Sequence, residues 1–146
     1  MTIIIPTRLL QDIFADGEAA YPEESAGLLL GESISSDTVP NKKVHAILPL
    51  SNAREDSARH NRYLITPQDM LHGEQKAIQL GVDVIGVYHS HPDHPNQPSE
   101  FDREWALPWF SYLITSVHSG KASKSRSWLL TNDRMEFTEE TIEFEN

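Results

Sequence analysis

A short stretch in the second half of the chain, residues 84–105, limits the fold and chemistry more than any other part of the sequence. Its first residues, 84–88, form a β-rich apolar run that predicts a buried strand. His89 and His91 follow two positions apart, so their imidazoles should project from the same face if the strand continues. Pro92 lacks a backbone N–H and should end the strand. The sequence therefore predicts two histidines side by side at the end of a core strand.

A carboxylate is available on the far side of the next loop. Ten residues separate His91 from Asp102, which is enough for the chain to fold back over the two rings. Ser99 and Asp102 have the spacing of a capping box, with Asp in place of the usual Glu or Gln, and predict a helix that begins at Ser99. Two imidazoles and one carboxylate make a three-ligand zinc site whose fourth position stays open for water, as in catalytic zinc centres. We therefore expect one Zn²⁺ per chain, bound by His89, His91 and Asp102, because this ligand set favours zinc.

An acidic residue that can act as a base lies upstream. Glu24 comes just before Gly27 and the apolar run at residues 28–30, so it should sit at the mouth of a buried strand. Glu24 is next to Glu23, and without the zinc motif a solvated acidic pair would be the favoured interpretation.

Taken together, these residues resemble the motif of the JAMM/MPN-domain metallopeptidases, and in particular a short prokaryotic-type member. The family pattern is Glu, then His-Ser/Thr-His, seven residues that begin with Pro, Ser, two residues and Asp. Here these positions are filled by Glu24, His89, His91, Ser99 and Asp102. The resemblance implies the MPN (cytidine-deaminase-like) fold. It also implies zinc-dependent hydrolysis of a peptide or isopeptide bond, after the C-terminal tail of a ubiquitin-like or sulfur-carrier protein.

The resemblance also assigns roles to two side chains. Glu24 would take a proton from the zinc-bound water as it attacks and pass it to the leaving amine. Ser99 would help to stabilise the oxyanion while it also caps its helix. Two features depart from the family: Ala26 stands where many bacterial relatives have Cys, and the insertions with which linkage-specific deubiquitinases hold a second ubiquitin are not evident. Selectivity for polyubiquitin chains is therefore not expected.

Other interpretations remain open at this stage. A His-x-His pair alone is more often structural than metal-binding, and it is the added Pro, Ser, Asp and Glu that favour a metal site. The alternatives are a non-catalytic MPN scaffold and a zinc amidase that acts on a small molecule. A zinc nucleobase deaminase is excluded, because its ligand set requires Cys and the chain has none. His94 lies near the site and is more simply a loop histidine. A further hypothesis is that the substrate tail lies extended beside a strand edge, under the polar loop at 51–62.

The remaining pattern predicts a single α+β domain over residues 1–146, with a mixed, mostly antiparallel sheet flanked by helices. The first part should contain an edge strand at 3–5, a helix capped by Thr7 that ends near Tyr21-Pro22, strands at 28–34 and 44–50, turns near 35–41 and a loop at 51–62. A strand at 63–65 and a helix from Thr66 to Gly81 should follow, the helix burying Met70, Leu71, Ala77, Ile78 and Leu80. After the Ser99 helix we expect a strand at 112–117, a serine-rich turn up to Ser127, a hairpin at 128–137 and a tail strand around Ile142 and Phe144.

Composition narrows the class of protein. The chain has 146 residues, 38% of them hydrophobic, and a formal net charge of −10. This charge disfavours nucleic acid as a partner, because a polyanion would be repelled. The sequence contains no run of eighteen apolar residues, so it predicts no membrane span. Its N-terminus lacks the features of a signal peptide. A cytoplasmic protein is the expectation, and the sequence does not predict an oligomeric state.

Overall fold

The computed structural model describes residues 1–35, 40–51 and 65–146. The first half contains β1 (Thr2–Pro6), α1 (Thr7–Ala20), β2 (Ala26–Ser35) and β3 (Pro40–Leu50). The second half contains α2 (Pro67–Leu80), β4 (Asp83–Pro92), α3 (Glu100–Trp105), β5 (Ser111–His118), β6 (Lys121–Leu130) and β7 (Phe137–Glu145). The predicted loop at 51–62 and strand at 63–65 lie almost wholly outside the described residues, and Ile65 itself is not in a strand.

The strands form a closed barrel in the order β1-β3-β2-β4-β5-β6-β7, with β7 paired back to β1. Strand β1 runs parallel to β3 and β7, and β4 runs parallel to β5; the other neighbours are antiparallel. The α+β class and the mixed, mostly antiparallel sheet are therefore as expected. The prediction that residues 3–5 form an edge strand is wrong, because β1 is paired on both sides. The tail supplies the second partner: Thr2 pairs with Thr141, and the register continues to Pro6 and Glu145.

Two apolar clusters lie on opposite faces of the central strands. On β2, Leu28 and Leu30 belong to the cluster beneath α2, whereas Leu29 belongs to the cluster beneath α1. On β4, Val87 and Tyr88 divide between the clusters in the same way. Strands that are buried on both faces read as continuous apolar runs, which explains the composition of these segments. The two histidines thus lie near the C-terminal end of a strand, β4, that is packed on both faces.

The two longer helices begin differently. Helix α2 has the predicted cap: Thr66 Oγ1 accepts from the N–H of Asp69 at 3.1 Å, and Asp69 Oδ2 accepts from the N–H of Thr66 at 2.9 Å. It ends at Gly81 with a left-handed φ of 73°, also as predicted. Thr7, however, is not an N-cap. Helix α1 begins at Thr7 directly after strand residue Pro6, without a side-chain cap, and the Thr7 hydroxyl donates to Asn146 Oδ1 at 3.3 Å.

The buried face of α2 differs from the prediction. Ala77 is buried, but Leu71, Ile78 and Leu80 are 55%, 76% and 47% exposed. The reason is Gly73, which is buried against β2 so closely that a Cβ there would overlap the Leu28 side chain. The helix packs mainly through its smallest residues, with Met70 partly buried against the same core, whereas Leu71, Ile78 and Leu80 are turned toward the surface.

The C-terminal third also differs from the prediction, in the turn after β5 and in the predicted hairpin. The turn between β5 and β6 consists of Ser119 and Gly120, both with positive φ, and β6 begins immediately at Lys121. The serines that follow are strand residues rather than turn residues: Ser127, for example, is buried and donates to Glu140 Oε1 at 2.8 Å. Of the second arm of the predicted hairpin, only Phe137 is in a strand: residues 135 and 136 belong to the connection after β6, and β7 begins at Phe137 and includes the predicted tail strand. None of the described helices is long and apolar enough to cross a membrane.

Candidate metal centre and active site

The C-terminal end of β4 places the two histidines. His89 pairs in register with Ala26 on β2 and Ile114 on β5, so the strand is held on both sides at this point. His89 is fully buried and His91 is 8% exposed. Their Nε2 atoms lie 3.1 Å apart on the same face of the strand, as the spacing of two predicts, and Pro92 is the last residue of β4. The sheet therefore fixes both imidazoles before any ligand binds.

The tautomer of His91 is set by the loop that follows. Its Nδ1 lies 2.8 Å from the carbonyl oxygen of Pro95. A carbonyl oxygen can only accept, so Nδ1 carries the proton and the lone pair of the neutral ring is on Nε2. This is the state in which a histidine binds a metal through Nε2. Sequence reasoning missed Pro95 because any residue presents a backbone carbonyl, and the sequence carries no signal for this contact.

Asp102 faces the histidines from the first turn of α3. Ser99 is the N-cap: its Oγ accepts from the N–H of Asp102 at 3.2 Å, and Asp102 Oδ2 accepts from the N–H of Ser99 at 2.7 Å. The predicted capping box is therefore present. It also orients the carboxylate, whose Oδ1 lies 3.2 Å from Nε2 of His89 and whose Oδ2 lies 3.3 Å from Nε2 of His91.

These distances provide a test of whether the residues fit a metal. Two ligand atoms bound to one tetrahedral zinc at about 2.0–2.1 Å are about 3.3 Å apart. The distances among the two Nε2 atoms and the Asp102 oxygens are 3.1, 3.2 and 3.3 Å. Two nitrogens and one carboxylate oxygen are also a donor set that zinc accepts. The three side chains fit Zn²⁺ in both spacing and chemistry.

The protonation states agree with this fit. Burial lowers the pKa of His89 and keeps its ring neutral, despite the opposing effect of Asp102. Burial alone would raise the pKa of Asp102, but its electrostatic interaction with His89 and His91 outweighs burial and holds this pKa below its usual range. A neutral imidazole and an ionised carboxylate are the forms that bind a cation.

Glu24 approaches the same histidines from the segment between α1 and β2. It is 4% exposed, and one carboxylate oxygen lies within 4.8 Å of the ligand nitrogens of His89 and His91. Burial, followed by repulsion from Asp102, raises the pKa of Glu24 to about 9. Two neighbouring carboxylates with pKa values pushed in opposite directions are typical of sites where one group stays charged and the other transfers protons.

An open cavity of about 450 Å³ leads to this cluster. Its lining residues are Glu24, His91, His94, Pro95, Gln97, Pro98, Ser99, Glu100 and Phe101. Ser99 is exposed, so its hydroxyl is accessible from the cavity. His94 forms part of the wall, and its backbone oxygen accepts from Ser116 Oγ at 2.8 Å. Phe101, which the sequence did not single out, also lines a neighbouring apolar cavity of about 170 Å³.

A closed α+β barrel with this His, His, Asp and Glu arrangement at one end defines a protein of the JAB/MPN class. Residues 6–131 match the family described as prokaryotic homologs of the JAB domain, and the chain belongs to that family. The JAMM-type resemblance of the motif is thereby confirmed.

Three known proteins illustrate the relationship. A desampylase of Haloferax volcanii is 33% identical over 65% of this chain and 63% of its own length. A protein of Thermus thermophilus described as a probable TtuB-protein conjugate cleaving protease is 26% identical over 82% of this chain and 75% of its own length. The match thus spans somewhat less than two thirds of the first relative. The solution structure of a Desulfitobacterium hafniense protein superimposes with a TM-score of 0.83 at 27% identity, covering 99% of this chain and 93% of that one.

Proposed function

We propose that this protein is a zinc-dependent isopeptidase or peptidase that cleaves after the C-terminal tail of a ubiquitin-like or sulfur-carrier protein. The observation that carries the proposal is the convergence of Glu24 with His89, His91 and Asp102 beside an open cavity that Glu24 and His91 line. The names of two relatives support the substrate class, since one is a desampylase and the other a probable conjugate-cleaving protease.

His89, His91 and Asp102 would hold the zinc, with Nε2 of each ring and a carboxylate oxygen as ligands. When bound, zinc supplies a Lewis acid that polarises the scissile carbonyl and lowers the pKa of water to about 7. Pro95 and the capping box of α3 support the ligands, because they fix the ring of His91 and the carboxylate of Asp102. Such supporting hydrogen bonds raise metal affinity.

Glu24 would be the proton carrier. Its buried carboxylate accepts a proton from the attacking water and delivers it to the nitrogen of the leaving amine as the C–N bond breaks. The environment suits this role, because burial and Asp102 raise its proton affinity. A cation bound by the neighbouring ligands would lower this proton affinity, so that Glu24 could both take up and release a proton at neutral pH.

Ser99 would stabilise the oxyanion. Its Oγ accepts from the N–H of Asp102 in the helix cap, which leaves its own hydroxyl proton for another acceptor. The residue is exposed and lines the cavity. A hydroxyl fixed in position by the helix start is a preorganised donor of the kind that stabilises developing negative charge.

The cavity is consistent with a narrow, extended substrate segment. It is open rather than enclosed, and its walls include the rigid residues Pro95 and Pro98 and the ring of Phe101. A flexible C-terminal tail with small residues can lie in such a groove with its last carbonyl above the histidines. The globular part of the substrate would then remain outside the cavity.

The decisive experiment is cleavage of a defined conjugate. A ubiquitin-like protein linked through its C-terminal carboxyl group to a lysine side chain is incubated with zinc-loaded wild type and with Glu24→Gln. Gel electrophoresis and mass spectrometry should show release of the carrier with a free C-terminal carboxylate by the wild type, and a rate lower by about 10²–10⁴-fold in the variant. Turnover of small amides without conjugate cleavage would favour a small-molecule amidase. Zinc binding without hydrolysis of either substrate would favour a scaffold.

A further inference from the structure

The segment that carries Glu24 is short and lies between two fixed points. Tyr21 is the C-cap of α1, and Ser25 immediately precedes β2, so Glu24 is in a connection of a few residues. Its carboxylate must be placed over the histidines for proton transfer, and catalysis is sensitive to displacements of this kind. How the segment is attached to the histidine strand therefore matters for the reaction.

One end of the segment is attached to the residue between the two histidines. The N–H of Ser25 donates to Oγ of Ser90 at 2.8 Å, and the N–H of Ser90 donates to the carbonyl oxygen of Ser25 at 3.1 Å. Ser90 is 1% exposed. This reciprocal pair fixes the downstream side of Glu24 to β4.

The other end is attached beyond the second histidine. The Tyr21 hydroxyl donates to Oδ2 of Asp93 at 2.6 Å. Asp93 is itself held, because its Oδ1 accepts from the N–H of Ser119 at 2.8 Å and its own N–H donates to the carbonyl oxygen of Val117 at 2.8 Å. Its φ of 56° is left-handed, which Asp tolerates better than most residues. Asp93 is thus a fixed acceptor, placed two residues after His91.

We propose that Tyr21 and Asp93 are positioning residues that hold Glu24 over the histidine pair. The inference rests on the proposed function and extends it to two residues outside the metal motif. A hydrogen bond to an ionised carboxylate is short and strong, and it joins the upstream side of the Glu24 segment to the loop that begins after His91. Together with the Ser25–Ser90 pair, it anchors the segment on both sides of Glu24.

The test removes one hydroxyl group and compares it with a matched control. Tyr21→Phe should lower kcat by about 10-fold, with KM for the conjugate and zinc content unchanged. The control is Tyr88→Phe, because the Tyr88 hydroxyl also donates to an Asp carboxylate, Asp16 Oδ2 at 2.9 Å, and also joins α1 to β4. That bond ends on Asp16 within α1 and joins neither of the residues that anchor the two sides of Glu24, so kcat of Tyr88→Phe should stay near the wild-type value.

Asp93 supplies a second pair of variants. Asn tolerates the left-handed conformation. In Asp93→Asn the side-chain oxygen can still accept from the Ser119 N–H, and the side-chain NH₂ can donate to the Tyr21 hydroxyl oxygen, which reverses the direction of that bond. Asp93→Asn should therefore retain more activity than Asp93→Ala. In addition, amide hydrogen exchange at Glu24 and Ser25 of the metal-free protein should be faster in Tyr21→Phe than in wild type or Tyr88→Phe.

The outcomes separate this inference from the proposed function. If wild type cleaves conjugates and Tyr21→Phe loses no more kcat than Tyr88→Phe, the positioning role is overturned. Equal exchange rates at Glu24 and Ser25 in all three proteins would overturn it as well, whether or not a substrate is cleaved. If wild type shows no hydrolysis but exchange responds to Tyr21→Phe, the attachment is supported and the proposed reaction is wrong.

Discussion

Nδ1 of His91 lies 2.8 Å from the carbonyl oxygen of Pro95, and the opposite nitrogen of the same ring lies 3.1 Å from Nε2 of His89. The loop that follows β4 thus folds back, and its Pro95 carbonyl group fixes the ring of His91 near the end of that strand. One consequence is that Nε2 of His91, the nitrogen proposed to bind the metal, has its lone pair free in a single tautomer, so little reorganisation would be required for a cation to bind.

The first prediction concerns metal content. Wild type should bind about one zinc per chain by elemental analysis, and His89→Ala should bind almost none, because removal of one of three ligands leaves an incomplete site. His94→Ala is the control, since this residue lines the same cavity and is not a member of the proposed ligand set. Wild type that takes up no added zinc in a chelator-free buffer would contradict the hydrolase interpretation.

Metal removal should also lower thermal stability. Free zinc at 100 times its dissociation constant stabilises a folded protein by about 2.7 kcal/mol, which corresponds to about 5–10 °C in Tm for a domain of this size. Calorimetry with and without a chelator measures this shift. The same experiment on His89→Ala should show no shift, and a shift of equal size there would place the metal elsewhere.

A second prediction separates the two roles of Ser99. Ser99→Ala removes a helix cap and should cost about 1 kcal/mol of the free energy of unfolding. It should also lower kcat by about 10²–10³-fold if the hydroxyl stabilises the oxyanion.

Thr66→Ala is a closely matched control for Ser99→Ala. Thr66 caps α2 through the same box, with Asp69 in the position that Asp102 occupies in α3. Denaturant unfolding should show a similar loss of stability in both variants, whereas only Ser99→Ala should lose activity. Equal kcat values in the two variants would restrict Ser99 to capping.

A third prediction concerns the contact between β4 and β5, which positions the histidines. Gly86 pairs with Ser111, and a Cβ at Gly86 would overlap the Ser111 carbonyl oxygen. Gly86→Ala should therefore cost about 3 kcal/mol, since the backbone must move. Gly81→Ala is the comparison: a Cβ there meets no atom within 4 Å, and only its φ of 73° opposes the change, at about 1 kcal/mol. Chemical denaturation measures both, and equal losses would contradict the close approach.

The parts of the structure that sequence reasoning predicted depend on short-range spacing. The capping box of α3, the start of α2 at Thr66, its left-handed end at Gly81 and the shared face of His89 and His91 all follow from residues at most four positions apart or from one residue's own conformation. The approach of Asp102 to the histidines was expected from the loop length and the helix start, whereas that of Glu24 was expected only because the motif resembles a known family. Nothing in local physics predicts that residues so distant in sequence meet.

The errors have a common physical origin in long-range pairing and packing. Strand β1 is not an edge because residues at the opposite end of the chain pair with it, and no local pattern encodes that closure. Ile78 is exposed because Gly73, rather than a larger residue, faces the sheet. Ser127 is polar and looks like part of a turn, yet it is buried because Glu140 on the next strand accepts its hydroxyl.

A fourth prediction is that Glu24, the proposed proton carrier, destabilises the metal-free protein. Burial, and then repulsion from Asp102, raises the pKa of Glu24 from 4.5 to about 9. Between these values the folded chain holds a proton that the unfolded chain has released, so the free energy of unfolding falls as pH rises through this window. One pKa unit corresponds to about 1.4 kcal/mol.

Gln cannot ionise, so metal-free Glu24→Gln should be more stable than metal-free wild type above pH 4.5, by about 2 kcal/mol at pH 6 and by more at pH 8. Below pH 4.5 the two proteins should be equally stable, because the carboxyl group is protonated in both the folded and unfolded states of wild type. Urea unfolding in the presence of chelator across this pH range measures the difference. Parallel curves for the two proteins would show that Glu24 is not desolvated. A gap that widens with pH would show that the fold keeps, at the cost of stability, a carboxylate that the proposed reaction needs.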